Sequence, residues 1–65
     1  MCIEDLFARV FTSDYEVKPV GRDACRDLIM VLHELEPGTD FGDIQTGFMQ
    51  LTNVIAYGKK HKIFG

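Results

Sequence analysis

Residues 39–60 read TDFGDIQTGFMQLTNVIAYGKK, and their apolar spacing decides the predicted fold. Apolar residues recur there at alternating steps of three and four, as on one face of a helix: Phe41, Ile44, Phe48, Leu51 and Ile55. Thr39 or Asp40 can cap the first turn, and the lysines near the far end suit the negative end of the helix dipole. We therefore predict a helix over residues 40–60.

Two segments upstream predict the remaining helices. Residues 2–12 place apolar side chains on one face and charged ones opposite, with two acids in the first turn. Residues 20–36 carry a broad apolar face, and Pro37-Gly38 stops that helix. Between them, Pro19 favours an extended backbone over residues 15–19, as a loop or as a short strand paired with residues 62–64.

The predicted fold class is thus all-α, a compact three-helix bundle in a single domain covering residues 1–65, with a short extended segment near 15–19. The spacing predicts these core residues: Ile3, Leu6, Phe7, Val10, Ala24, Leu28, Val31, Leu32, Leu35, Phe41, Ile44, Phe48, Leu51 and Ile55.

The composition limits how such a bundle can be stable. The chain has 65 residues, 46% of them hydrophobic, and a net charge of −3. It is too apolar for a disordered chain, and its two cysteines are too few for a disulfide framework. A domain of this size buries only about 60% of the surface that its unfolded chain exposes. A tight core, a second copy or a partner protein is therefore needed, and we expect a homodimer.

The expected compartment is the cytoplasm, without a membrane partner. The residues after Met1 are acidic where a signal peptide would be basic. The longest strictly apolar run, residues 28–32, is far shorter than the roughly 20 residues of a membrane-spanning helix. Cys2 and Cys25 are then expected to be reduced thiols.

Charge is distributed unevenly along the chain. Ten acidic and four basic residues give residues 1–43 a net charge of −6, whereas three lysines give residues 44–65 a charge of +3. Residues 44–58 carry no charge at all, although exposed helix faces normally carry charges for solubility. This uncharged segment is either the centre of the bundle, covered by the other helices, or a surface covered by a second protein.

Catalytic and metal-binding motifs are not found, and we expect neither an enzyme nor a bound cofactor or metal. The soft ligands are Cys2, Cys25, His33 and His61, and none of them forms a CxxC or HxxxH pair. No glycine-rich phosphate loop occurs. A body of three short helices also leaves little room for a substrate cleft.

Protein binding is the function that the pattern favours. Uncharged polar, Met and Tyr side chains suit the centre of an interface, where charged residues are depleted. The predicted interface residues are Gln45, Met49, Gln50, Thr52, Asn53 and Tyr57. An acidic patch of Glu34, Glu36, Asp40 and Asp43 could meet a basic surface on a larger protein, or could simply be solvated.

DNA binding is the alternative. The second and third helices could form a helix-turn-helix, with amides of the third helix contacting bases and Lys59, Lys60 and Lys62 contacting phosphates. Against this, the amide-rich face has no Arg or Lys, and residues 1–43 would be repelled by DNA.

In length, acidity and absence of catalytic motifs, the chain resembles in type the compact proteins of phages and mobile elements that bind and occlude a larger host protein, anti-CRISPR proteins among them. The resemblance implies an inhibitor or regulator, and it assigns no role to any single residue.

Overall fold

The computed structural model describes residues 2–64 and contains three helices and a short two-stranded sheet. Helix α1 spans Ile3–Val10, α2 spans Arg22–Leu35 and α3 spans Leu51–Lys60. Strands β1, Gly42–Asp43, and β2, Phe48–Met49, pair in antiparallel orientation between α2 and α3.

Helices α1 and α2 confirm the predictions for residues 2–12 and 20–36, with ends that differ by one or two residues. The apolar face of α1 buries Leu6, Phe7 and Val10. The broader face of α2 buries five side chains: Ala24, Cys25, Leu28, Ile29 and Leu32. An ion pair of 3.9 Å joins Arg9 of α1 to Asp27 of α2, but both side chains are half exposed, so its contribution is small. Apolar packing therefore holds the two helices together.

The extended segment after α1 is present, but its strand partner differs from the one predicted. Val17 forms an antiparallel bridge with Phe11 rather than with residues 62–64. The Lys18 amide donates to the Val10 carbonyl at 2.8 Å, and the Thr12 amide donates to the Glu16 carbonyl at the same distance. The chain thus turns back tightly on the end of α1.

The prediction of one helix over residues 40–60 is wrong in its first half. Residues 42–49 form a β-hairpin, and α3 begins only at Leu51. Gly42 and Gly47 have φ values of 130° and 74°, which glycine adopts without the penalty a side chain would impose. The Asp43 carboxylate accepts hydrogen bonds from the Gln45 amide at 3.0 Å and the Thr46 hydroxyl at 3.2 Å. The fold therefore combines three helices with a two-stranded sheet, and it is not a purely helical bundle.

The hairpin also changes which residues form the core. Four predicted core residues are exposed: Leu35 by 55%, Ile44 by 38%, Phe48 by 67% and Leu51 by 43%. The core instead includes four residues that the prediction omitted: Phe11, Cys25, Ile29 and Val54. The exposure of Ile44, Phe48 and Leu51 follows from the hairpin, because these residues no longer share one helix face.

The residues after α3 fold back over the core. The Phe64 ring packs edge-on against the rings of Phe7, Phe11 and Tyr15, with centroids 5.3, 5.7 and 4.7 Å away. Gly58 makes this possible, because a Cβ atom at that position would overlap the Phe64 ring. Within residues 2–64, no helix is long and apolar enough to cross a membrane.

Candidate interaction surface

The uncharged segment of residues 44–58 lies on the outside of the molecule. Only Val54 and Gly58 of this segment are buried, and the remainder is exposed or half-buried. The other helices therefore do not cover it, and the interpretation that made it the centre of the bundle is wrong. An exposed surface of this length without charge still needs a physical explanation.

The hairpin sets which apolar side chains face outward. Successive side chains of a strand point to opposite faces, so Phe48 and Met49 diverge. Met49 packs against the core, whereas Phe48 is 67% exposed. Asp43 is the cross-strand partner of Phe48 and lies on the same outer face.

An open depression of about 620 Å³ adjoins Phe48. Its lining comprises Arg22, Asp43, Thr46, Gly47 and Phe48. Gly47 packs closely on Arg22 at the start of α2, since a Cβ atom at Gly47 would lie 3.1 Å from the Arg22 carbonyl oxygen. The turn of the hairpin thus rests on the first residue of α2 and leaves the Phe48 ring projecting beside the depression.

Apolar side chains are also exposed where the hairpin turn lies beside α2. Ile44 and Met30, exposed by 38% and 44%, line a second depression that also includes Gln45. We call the surface formed by Arg22, Met30, Asp43, Ile44 and Phe48 the hairpin face. It contains three exposed apolar side chains and the charged residues Arg22 and Asp43, and Asp23, Arg26 and Asp27 of α2 line the second depression beside Met30. Contiguous exposed apolar patches often mark binding sites.

The structure separates the six predicted interface residues. Gln45 lies at the hairpin face, and Gln50 and Thr52 are exposed at the start of α3. Met49 and Tyr57 pack against the core.

Asn53 has a structural partner. Its amide donates to the Asp40 carbonyl at 2.7 Å. Asn53 and Tyr57 line a separate depression of about 140 Å³, smaller than the roughly 300 Å³ of the smallest usual ligand pockets. The six residues therefore do not share one helix face.

The four predicted acidic residues also differ in their surroundings. Asp40 accepts a hydrogen bond from the Gly42 amide at 3.0 Å, and Asp43 closes the hairpin turn. Glu34 is exposed and Glu36 is half-buried. Two of the four carboxylates thus stabilise the local backbone.

Groups capable of catalysis or metal binding are dispersed. Among residues 2–64, no three His, Cys, Asp or Glu side chains are placed to share a metal ion. His33 Nε2 lies 3.3 Å from the Gly42 carbonyl oxygen, which ties β1 to α2. Burial raises the pKa of the Cys25 thiol above its ordinary value, so this thiol is a poor nucleophile.

The residues at the centre of the hairpin face were absent from the predicted interface. The helical spacing predicts Ile44 and Phe48 as core residues, and it indicates no role for Met30. A usable signal is nevertheless present, because Gly42 and Gly47 bracket a short segment that contains Asp43, Gln45 and Thr46, residue types common in turns. Comparisons of the chain with protein-family models, curated proteins and solved structures find no significant match.

Proposed function

We propose that this chain is a non-catalytic protein-interaction module of the cytoplasm that binds and occludes a larger protein, as an inhibitor or regulator. The observation that carries the proposal is the exposed, uncharged segment 44–58. Solvated surfaces of small proteins normally mix both charges, whereas interface centres are depleted of them. A partner protein explains why this surface lacks charge.

The hairpin face supplies the anchor for such a contact. Aromatic residues and Met are enriched at interfaces, and a few such side chains carry most of the binding free energy. Phe48 projects from a hairpin that is fixed at both ends, by the Asp43 turn and by the contact of His33 with Gly42. Little conformational freedom of the backbone is then lost on binding.

A DNA-binding regulator is the second candidate. Lys59, Lys60 and Lys62 at the end of α3 favour it, since basic side chains bind phosphates. Residues 36–50 weigh against it, because this long connection with its hairpin replaces the short turn of a helix-turn-helix. This candidate requires binding to mixed-sequence duplex at low salt that weakens as salt increases, and loss of that binding when the three lysines are replaced.

The proposed function is tested by comparing two matched truncations. Immobilised wild type, Phe48→Ala and Leu35→Ala are incubated with lysate of cells that express the chain. A protein captured by wild type is then purified, and its affinity for each variant is measured by calorimetry. Leu35 is the control, because it is 55% exposed at the end of α2 and lies outside the hairpin face.

We expect Phe48→Ala to weaken binding by at least about tenfold, as for an interface anchor, and Leu35→Ala to leave it unchanged. Equal affinities for all three chains would remove the hairpin face from the proposal. Failure of every captured protein to bind in purified form would remove the proposed function itself.

A further inference from the structure

We propose that the hairpin face binds a second copy of this chain through a two-fold contact, in which each Phe48 enters the partner copy's depression beside Arg22. This inference rests on the proposed function in one respect: it takes the hairpin face to be a protein-binding surface. It adds a second occupant of the same face, so that a copy of the chain and the larger protein compete for Phe48, and it gives the register of the contact between copies.

Shape is the first argument for a second copy. A two-fold interface uses the same patch on both copies, so the patch must contain both a projection and its receptacle. Phe48 projects with 67% of its surface exposed, and the adjoining depression measures about 620 Å³. The depression is open to solvent, so a ring from a second copy can reach it without a change in the backbone.

Charge is the second argument. Arg22 and Asp43 both line the depression, on the start of α2 and on β1. Arg22 forms no ion pair among residues 2–64 of its own chain. When two copies meet around Phe48, the Arg22 of each faces the Asp43 of the other, which gives two opposite-charge contacts at the rim. A rim of one sign would instead repel a second copy.

Area is the third argument. The chain has an accessible surface of 4260 Å². A compact monomer of its mass is expected to have about 4200 Å², so the exposed apolar side chains do not reflect an open fold. A standard interface covers about 800 Å² per partner, which is about a fifth of this surface. The hairpin and the start of α2 carry the exposed side chains available for such a contact: Arg22, Asp43, Ile44 and Phe48.

The first test measures mass by sedimentation equilibrium from about 1 µM to about 1 mM for wild type, Phe48→Ala and Leu35→Ala. We expect a monomer–dimer equilibrium for wild type and the Leu35 variant, and a dimer dissociation constant raised at least about tenfold by Phe48→Ala. Circular dichroism verifies that each variant keeps its helices. A monomeric wild type throughout this range, or a Phe48 variant that dimerises as well as wild type, would overturn the proposal.

The second test addresses the register. Arg22→Glu places an acid opposite the partner's Asp43, whereas Arg22→Ala only removes a charge. We expect Arg22→Glu to weaken the dimer several-fold more than Arg22→Ala in dilute buffer. This difference should shrink in about 1 M salt, where the Debye length is about 3 Å. Equal effects of the two substitutions in dilute buffer would exclude this pairing and with it the proposed two-fold register.

The outcomes separate this inference from the proposed function. A monomeric wild type that still loses its captured protein on Phe48→Ala would leave the hairpin face as a binding surface for a different protein. A dimer that depends on Phe48 without any captured protein binding in purified form would support the second copy and contradict occlusion of a larger protein.

Discussion

At the scale of single residues, the end of the chain depends on one missing side chain. Gly58 lies in α3 directly beneath the Phe64 ring, and its own position also faces the Phe7 ring. Nothing in the apolar pattern of the sequence indicates this contact, because it joins the last turn of a helix to a residue beyond its end. The glycine is explained by the ring packed on it rather than by any need of the helix.

Replacing Gly58 by Ala should therefore destabilise the fold. Overpacking costs about 1–3 kcal/mol, partly offset by the gain of about 1 kcal/mol in helix propensity. We expect a net loss of about 1 kcal/mol in the free energy of unfolding, measured by urea denaturation. Gly38→Ala is the matched control, since nothing lies within 4 Å of a Cβ atom there.

A double-mutant cycle identifies the cause. In a Phe64→Ala background the Gly58→Ala substitution should become neutral or stabilising, because the clashing ring is gone. An undiminished loss in that background would place the strain elsewhere, for example against Phe7.

Because the Cys25 thiol is buried, we expect the free energy of unfolding to depend on pH. Burial raises its pKa in the folded state, so folding favours the protonated thiol. The resulting stability is fully present below the unfolded-state pKa of about 8.5 and is lost as pH rises through the folded-state pKa. Urea midpoints should fall more steeply above about pH 8.5 in wild type than in Cys25→Ala. Parallel curves for the two proteins would contradict this expectation.

At the scale of elements, α1 and α2 could be predicted because each has a continuous helical period and a clear stop. The structure of residues 40–60 could not be predicted in the same way, because two opposing signals overlap there. Phe41, Ile44, Phe48 and Leu51 fit a helical spacing, yet Gly42 and Gly47 supply the positive φ values that a hairpin needs. The chain forms the hairpin that these glycines allow and not the helix that the apolar spacing predicts. The candidate site therefore lies on the hairpin and not on one face of a long helix.

The strand register predicts that truncating Met49 destabilises the fold more than truncating the larger Phe48. Met49 packs against the core and Phe48 does not, so truncating the smaller residue should cost more. We expect Met49→Ala to lower the free energy of unfolding by about 1–2 kcal/mol, since this methionine is only partly buried. We expect Phe48→Ala to lower it by less than about 0.5 kcal/mol. Thermal or urea unfolding at low protein concentration provides the comparison. A register shifted by one residue would reverse the order.

At the scale of the whole molecule, stability and assembly should be linked. A core this small seldom supplies more than about 3–5 kcal/mol. At a hundredfold excess over the dimer dissociation constant, association adds about 2.7 kcal/mol. In a domain of this size that corresponds to an increase in Tm of roughly 10 °C or more. Scanning calorimetry at increasing protein concentration should show this rise in wild type and not in Phe48→Ala. A Tm independent of concentration in wild type would contradict the linkage.

The placement of the two thiols gives the chain an internal reporter of its own opening. Cys2 is exposed and its Sγ–H donates to an Asp5 carboxylate oxygen at 3.3 Å, whereas Cys25 is buried in α2. A thiol reagent therefore reaches Cys2 in the folded state but reaches Cys25 only when the core around α2 opens. The ratio of the two labelling rates, read by mass spectrometry on the unmodified sequence, measures how often the core opens in solution or inside a cell.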